Sequence, residues 1–280
     1  MKKFVKMSRG RFAAFVLAIT LVPALIHAAG PDEMIDSFYN REEAISADDL
    51  KMFMTLMEGV FGQSAPSLEQ AEKILAIAER HIDATGSLPG GIEETHAMFS
   101  GYLCHLFTAG EAVEKNPEKA MEYVRRGLKY LQIVSGQDTQ VGERLFERIF
   151  RAYSDLQKSE NNLVYLPNTL IVTYADNELQ ADMTLKDKDI YIAVFPGDAT
   201  RVEKDGDSYI VKYSPGPEVR AKVPGFSISC KLNPDALTYF ADFSTPMILK
   251  GVCRGVTGFR SILIDNCSAP EELYGKEGGN

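Results

Sequence analysis

Along residues 31–160 apolar side chains recur at intervals of three and four, and from about residue 188 they fall into short runs bounded by glycine and proline. The first pattern predicts helices and the second strands. Leu50, Phe53, Met54, Met57, Val60 and Phe61 make one helical stripe. Ser67 is placed to cap the next helix, which carries Ile74, Leu75, Ile77, Ala78 and Ile82 and breaks at Gly86–Gly91. A third helix runs from about Ile92 to Glu114. Asn116-Pro117, a cap followed by proline in the first turn, opens a fourth that reaches Val134. The fifth, Thr139–Leu156, sets Val141, Leu145, Phe146, Ile149, Phe150 and Tyr153 on one face.

The polar stretch Ser159-Glu160-Asn161-Asn162 marks the expected domain boundary. Beyond it, Asn168–Met183 reads as an amphipathic helix or an extended lead-in. Strands follow at Ile190–Phe195, running on towards Val202 with a bend at Pro196-Gly197, then at Ser208–Tyr213 and Phe226–Cys230. Asn233-Pro234 opens a short helix to about Ala241. Met247–Cys253 and Phe259–Ile264 then form a hairpin around the loop Arg254–Gly258. Three strands, a helix and two strands is the order of an OB-fold, a five-stranded Greek-key barrel. The expected fold class is therefore α+β: a helical domain over residues 31–160, then a closed five-stranded barrel over residues 165–275.

Two resemblances accompany this reading. Tyr174-x2-Asn177-Glu178-x2-Ala181-Asp182, Lys186-x-Lys188, Ser229-Cys230, Lys250-Gly251-Val252-Cys253-x-Gly255 and Leu263-x-Asp265-x-Cys267 resemble the exported OB-fold proteins described as "tRNA anticodon-domain-like". That resemblance covers about 100 residues. It implies an OB barrel and no established enzymatic activity, with nucleic-acid binding suggested only by analogy of fold. Ala97-x3-Gly101 through Ala120-x2-Tyr123-x3-Gly127 resembles a tetratricopeptide-type helix pair. In that family small residues let paired helices approach and stacked pairs present a partner-binding face. A five- or six-helix bundle is the alternative.

The amino terminus changes the setting. Lys2, Lys3, Lys6, Arg9 and Arg11 precede the apolar run Phe12–Ile26, followed by His27-Ala28, which is the order of a signal peptide over residues 1–28. A periplasmic or secreted location is expected, with no membrane span after cleavage. The whole chain has a net charge of −9, and without the leader 25 basic side chains stand against 39 acidic ones, about −14. Nucleic-acid binders neutralise phosphates with clustered Lys and Arg, so a nucleic-acid partner is not expected.

An exported chain is free to form disulfides. Cys104, Cys230, Cys253 and Cys267 contain no Cys-x-x-Cys, so no zinc knuckle or thioredoxin-type site is indicated. With the hairpin turning near Thr257, Cys253 faces about Ser261 and lies far from Cys267. In an OB barrel strands three and five run side by side, which favours Cys230–Cys267. Cys253–Cys267 is the second choice, and four buried free thiols the third.

Candidate chemistry is sparse. Glu93-x-x-His96 has a di-iron spacing but no second such pair follows. His96 and His105 are nine residues apart, on opposite helix faces. Met52, Met54 and Met57 read as core. Tyr191, Tyr209, Tyr213 and Phe226 are the aromatic residues available for a ligand face on the barrel, with core packing the alternative. No catalytic motif, metal or cofactor site is read. The expected function is that of a non-enzymatic binding or adaptor protein whose helical half binds a protein partner. The alternatives are an OB-type binder of oligosaccharide or nucleic acid, and an enzyme assembled from carboxylates such as Asp176, Glu178 and Asp182.

Overall fold

The computed structural model describes residues 30–41, 43, 45–61, 65–85, 92–110, 112–137, 139–196, 200–206, 208–234 and 245–275. The expected leader and most of the helix expected after Asn233 lie outside them. The described chain is mixed α+β and divides into two compact units, one ending at Thr95 and the other beginning at His96.

The first unit holds α1 (Pro31–Tyr39), α2 (Ala47–Phe61) and α3 (Leu68–Thr85). Ser67 does cap α3, reciprocally: its Oγ accepts from the Gln70 amide, and Gln70 Oε1 accepts from the Ser67 amide. Two orphan donors of the first turn are satisfied in this way. Ile35, Phe38, Phe53, Leu56, Ile74, Leu75 and Ile77 form the interior, with Phe38 edge-on to Phe53 at 5.5 Å. The methionine question is answered in part, since Met57 is buried beside Leu56.

The second unit begins within α4 (Ile92–Ala109) and continues through α5 (Pro117–Gln137) and α6 (Thr139–Ser159). Asn116 Oδ1 accepts from the Lys119 amide, so the Asn-Pro pair opens α5. The three helices meet closely at Gly127, where a Cβ would lie 2.9 Å from Ile149 Cδ1 and 3.2 Å from Ser100 Cβ. A side chain there would press on the Ile149 and Ser100 side chains. The apolar face of α6 reaches the sheet. Phe146 meets Phe195 at 5.3 Å and Tyr153 meets Tyr191 at 5.8 Å, both edge-on. The polar stretch at Ser159–Asn162 is a turn inside this unit, with Asn161 at φ 65°.

After that turn come β1 (Leu163–Tyr165), α7 (Pro167–Asp176), α8 (Glu178–Leu185), β2 (Asp189–Val194), β3 (Thr200–Asp205) and β4 (Ser208–Tyr213). They are followed by α9 (Pro217–Lys222), β5 (Ser227–Leu232), β6 (Met247–Thr257), a 3-10 turn at Gly258–Arg260, β7 (Ser261–Ser268) and α10 (Glu271–Tyr274). The strands form one seven-stranded sheet in the order β1-β2-β6-β7-β5-β4-β3. The pairs β1–β2 and β5–β7 are parallel and the rest antiparallel. One face packs Ile190, Ile192, Val211, Ile228, Leu249, Ile262 and Ile264 against Leu170, Ile171, Tyr174 and Leu185 of α7 and α8.

The expected closed five-stranded barrel is corrected: the sheet is open and has seven strands. Two causes are local. A three-residue β1 adds itself beside β2, and the expected first strand splits in two. Pro196 has no amide to donate to a ladder, so β2 ends before it and β3 begins afresh at Thr200.

The hairpin also differs from expectation. Arg254–Thr257 lies within β6 rather than in a loop, and the turn falls at Gly258–Arg260, with Phe259 and Arg260 at positive φ. Gly255, at φ +81°, marks a bulge where the ladder shifts between Cys253 and Gly255. The residue opposite Cys253 is consequently Ile264 and not Ser261.

Candidate functional site

Several of the residues quoted for the OB-type resemblance, Tyr174, Asn177, Asp182, Cys253 and Gly255, converge where α7 and α8 meet β6. Asn177 caps α8 through its Oδ1, which accepts from the Gln180 amide at 3.1 Å. Between α8 and β2, the amide of Asp187 donates to Cys253 O, and the Cys253 amide donates to Lys188 O. Arg254 then pairs with Asp187 at 2.8 Å and reaches Asp265 at 3.6 Å. Inside this frame the Tyr174 hydroxyl lies 3.3 Å from the Cys253 thiol, both groups fully buried. Burial, then the neighbouring Cys253 and Asp182, push the Tyr174 hydroxyl pKa well up, so it stays protonated. Asp182 lies against Gly255, at a spot where any β-carbon would overlap its carboxylate. These contacts lock α8 onto the sheet. The buried phenol and thiol face each other, and the cluster fastens the fold.

The four aromatic candidates do not assemble into one ligand face. Strand alternation puts Tyr191 on the face opposite Ile190 and Ile192, where Tyr153 covers it and its hydroxyl donates to Glu272 Oε1 at 3.0 Å. Tyr209, Tyr213 and Phe226 pack on the rim of the core instead. Tyr213 donates to Asn168 Oδ1 at 2.9 Å, and the Arg260 guanidinium lies 5.7 Å over the Phe226 ring. Tyr209 stands opposite Leu232 and Tyr213 opposite Ile228, at two ends of the β4–β5 ladder.

The other side of that ladder carries a different set. Successive pairings align Arg201 with Lys212, Lys212 with Ser229, and Ser229 with Leu263. The neighbouring row aligns Glu203 with Ile210 and Ile210 with Lys231, and a third aligns Ser227 with Ser261. Arg201, Lys212 and Lys231 are exposed, while Ile210, Leu263, Ser227, Ser229 and Ser261 are half-buried. Ser229 and Ser261 share a hydroxyl hydrogen bond at 2.8 Å. Three basic side chains thus stand against two acids, Glu203, which pairs with Lys212, and Asp205, which lies opposite Ser208 on the same face. The same face of the sheet is covered further along, where Tyr191, Ala193 and Ile248 are buried. The face over β3, β4 and β5 is therefore a locally positive, hydroxyl-bearing surface on an acidic chain.

Elsewhere the candidates are quenched. In the first unit a cleft is lined by Asp32, Asp36, Ser67, Glu69, Gln70 and Lys73. Lys73 neutralises Asp36 at 2.6 Å and Glu69 at 2.7 Å, and those ion pairs hold its pKa above the usual lysine value. His96 is buried edge-on to Tyr130 at 4.6 Å, whereas His105 is exposed. Asp176 and Glu178 are exposed at the α7–α8 junction. Among the described residues no group of three or more His, Cys, Asp or Glu side chains is arranged to hold a metal ion, and no helix is long and apolar enough to cross a membrane.

His81 is a structural titrating group. It is buried in the first unit, and neither ring nitrogen has a partner of normal hydrogen-bond geometry among the described residues. Burial lowers its pKa, against a smaller opposing effect of the Ile45 backbone. The folded state thus holds the neutral ring, while the unfolded state takes up a proton below about pH 6.5. Stability is unaffected above that pH and falls as the solution becomes more acidic. Urea unfolding at pH 7 and pH 5 is expected to show this loss, and His81→Leu is expected to flatten it. An unchanged slope in the variant would assign the acid sensitivity to other groups.

Comparison with protein-family models, curated proteins and solved structures finds no match for this chain.

Proposed function

We propose that this is a non-enzymatic binding protein whose second unit carries an OB-type strand order in an open sheet and holds an extended acidic oligosaccharide across the outer face of β3, β4 and β5. The OB-type reading is supported by connectivity. The ladders β2–β6–β7–β5–β4–β3, with β5 and β7 parallel, reproduce the OB order once β2 and β3 are taken as two halves of one strand. Only residues 195–199 separate those halves. Such a link spans at most about 21 Å, so the two ends of the ladder must curl towards each other.

The ligand class is carried by one observation: Arg201 and Lys212 stand in register with Ser229, Lys231 lies one row away, and Ser227 and Ser261 pair on the same face. Ammonium and guanidinium groups suit carboxylates, and serine hydroxyls suit sugar hydroxyls. This patch has no aromatic platform, which single-stranded nucleic acids use for base stacking. That absence favours a sugar over a nucleic acid.

Calorimetric titration of the chain with uronate oligomers, neutral oligomers of the same length and oligo-dT tests the proposal. Uronate binding is expected to be the tightest and to weaken with added salt. Reversing two charges, in Lys212→Glu with Lys231→Glu, is expected to lower affinity on the order of tenfold or more, equivalent to about 1.4 kcal/mol. Equal binding of neutral and acidic oligomers, or an unaffected double variant, would overturn the ligand class.

A further inference from the structure

We propose that Cys230 and Cys267 are an oxidisable thiol pair, joined as a disulfide that bolts β5 to β7, while Cys104 and Cys253 remain thiols. The inference is independent of what the sheet binds. Cys230 pairs across the parallel ladder with Ile264, and Cys267 pairs with Leu232, with a bulge between these two positions. Asn266, at φ 54°, turns the backbone in that bulge, and the Cys267 thiol leans back to donate to Ile264 O at 3.3 Å. The Cys267 sulfur therefore lies level with the residue that faces Cys230, and both cysteines are buried free thiols in the structure, as are Cys104 and Cys253. Gly251 provides the room: a Cβ there would come within 2.8 Å of Cys267 Sγ.

The other pairings are blocked by the same geometry. Cys230 and Cys253 both face Ile264, from opposite sides of β7. Their backbones are two strand spacings apart, about 9.5 Å. A disulfide needs Cα atoms within about 7 Å, which the Cys230–Cys253 spacing far exceeds. Cys230 and Cys267, diagonal neighbours across the β5–β7 ladder at about 7–8 Å, close with a small shift of the bulge. Cys253 is occupied by the Tyr174 hydroxyl. Cys104 sits on α4, where its thiol donates to Ala152 O at 3.6 Å and burial pushes its pKa up to about 12.

The oxidant is a protein or small-molecule disulfide, RSSR. One protein thiolate attacks RSSR and releases RSH. The second thiolate then displaces the other R group as RSH, leaving the protein disulfide. Two electrons pass to RSSR and the two protons end on the released thiols. The neighbouring Cys230 thiol and burial both keep Cys267 protonated in the fold. Exchange therefore belongs to folding, before the sheet closes, and is slow in the folded reduced protein.

The test is to refold the chain in oxidised and reduced glutathione, block free thiols with N-ethylmaleimide and map the tryptic peptides. Cleavage after Lys231, Lys250, Arg254 and Arg260 places Cys230, Cys253 and Cys267 on separate peptides. The expected result is a Cys230–Cys267 linked pair, with Cys104 and Cys253 alkylated. The urea midpoint is expected to fall on reduction of the wild-type chain and to stay put in Cys230→Ser. Four alkylated cysteines, or a Cys253–Cys267 linked pair, would overturn the assignment.

Discussion

Gly255→Ala is expected to destabilise the chain by about 2–4 kcal/mol, from two separable sources. Gly255 adopts φ +81°, which an L side chain rarely takes, and a β-carbon there would overlap Asp182 Oδ1. The overlap can be relieved by shortening the neighbour, whereas the backbone strain cannot. Asp182→Ala alone is expected to be mild, since Asp182 Oδ1 is buried without a hydrogen-bond partner among the described residues. In the double variant the overlap disappears and only the strain remains, so the two substitutions should couple by about 1 kcal/mol or more. Urea unfolding of all four proteins measures that coupling. Additive effects would mean that α8 does not rest on the β6 bulge as described.

Gly251→Val is expected to be more damaging, costing more than about 3 kcal/mol. Its first added carbon would lie 2.8 Å from Cys267 Sγ, 2.8 Å from Ile264 Cγ2 and 3.0 Å from Asp265 O. The last of these is backbone in the central β6–β7 ladder and cannot rotate aside. Relief requires β6 and β7 to separate, exposing the sheet interior. In the reduced protein, a lowered urea midpoint should therefore be accompanied by faster thiol labelling of Cys267 in native buffer. A valine tolerated within about 0.5 kcal/mol, the range of an ordinary surface change, would contradict the packing of that ladder.

The helices were legible in the sequence because stripe and cap agreed. Ser67 and Asn116 stand where the backbone needs acceptors, and Phe146, Ile149, Phe150 and Tyr153 keep one face. The sheet was less legible. Three residues at Leu163–Tyr165 carry too short a pattern to read as a strand, yet they extend the sheet beyond β2. Gly255 signalled a turn because glycine marks both turns and bulges, and only the ladder distinguishes them.

The candidate surface was missed for a physical reason. Arg201, Lys212, Ser229 and Lys231 are distant in sequence and become neighbours only through the registers of β3, β4 and β5. Attention to the polar positions of the alternating strands, rather than to their tyrosines, would have found part of it. Tyr191 shows the opposite failure. Its chemistry suited a ligand face, but strand parity turned it towards α6.

The most direct test of the ligand-face account is hydrogen exchange of the full chain, followed by mass spectrometry, with and without a saturating uronate oligomer. Slowed exchange in residues 200–213 and 227–232, with little change in residues 31–85, is the predicted result. Protection confined to the helices, or absent from those strands while the oligomer is bound, would contradict the account.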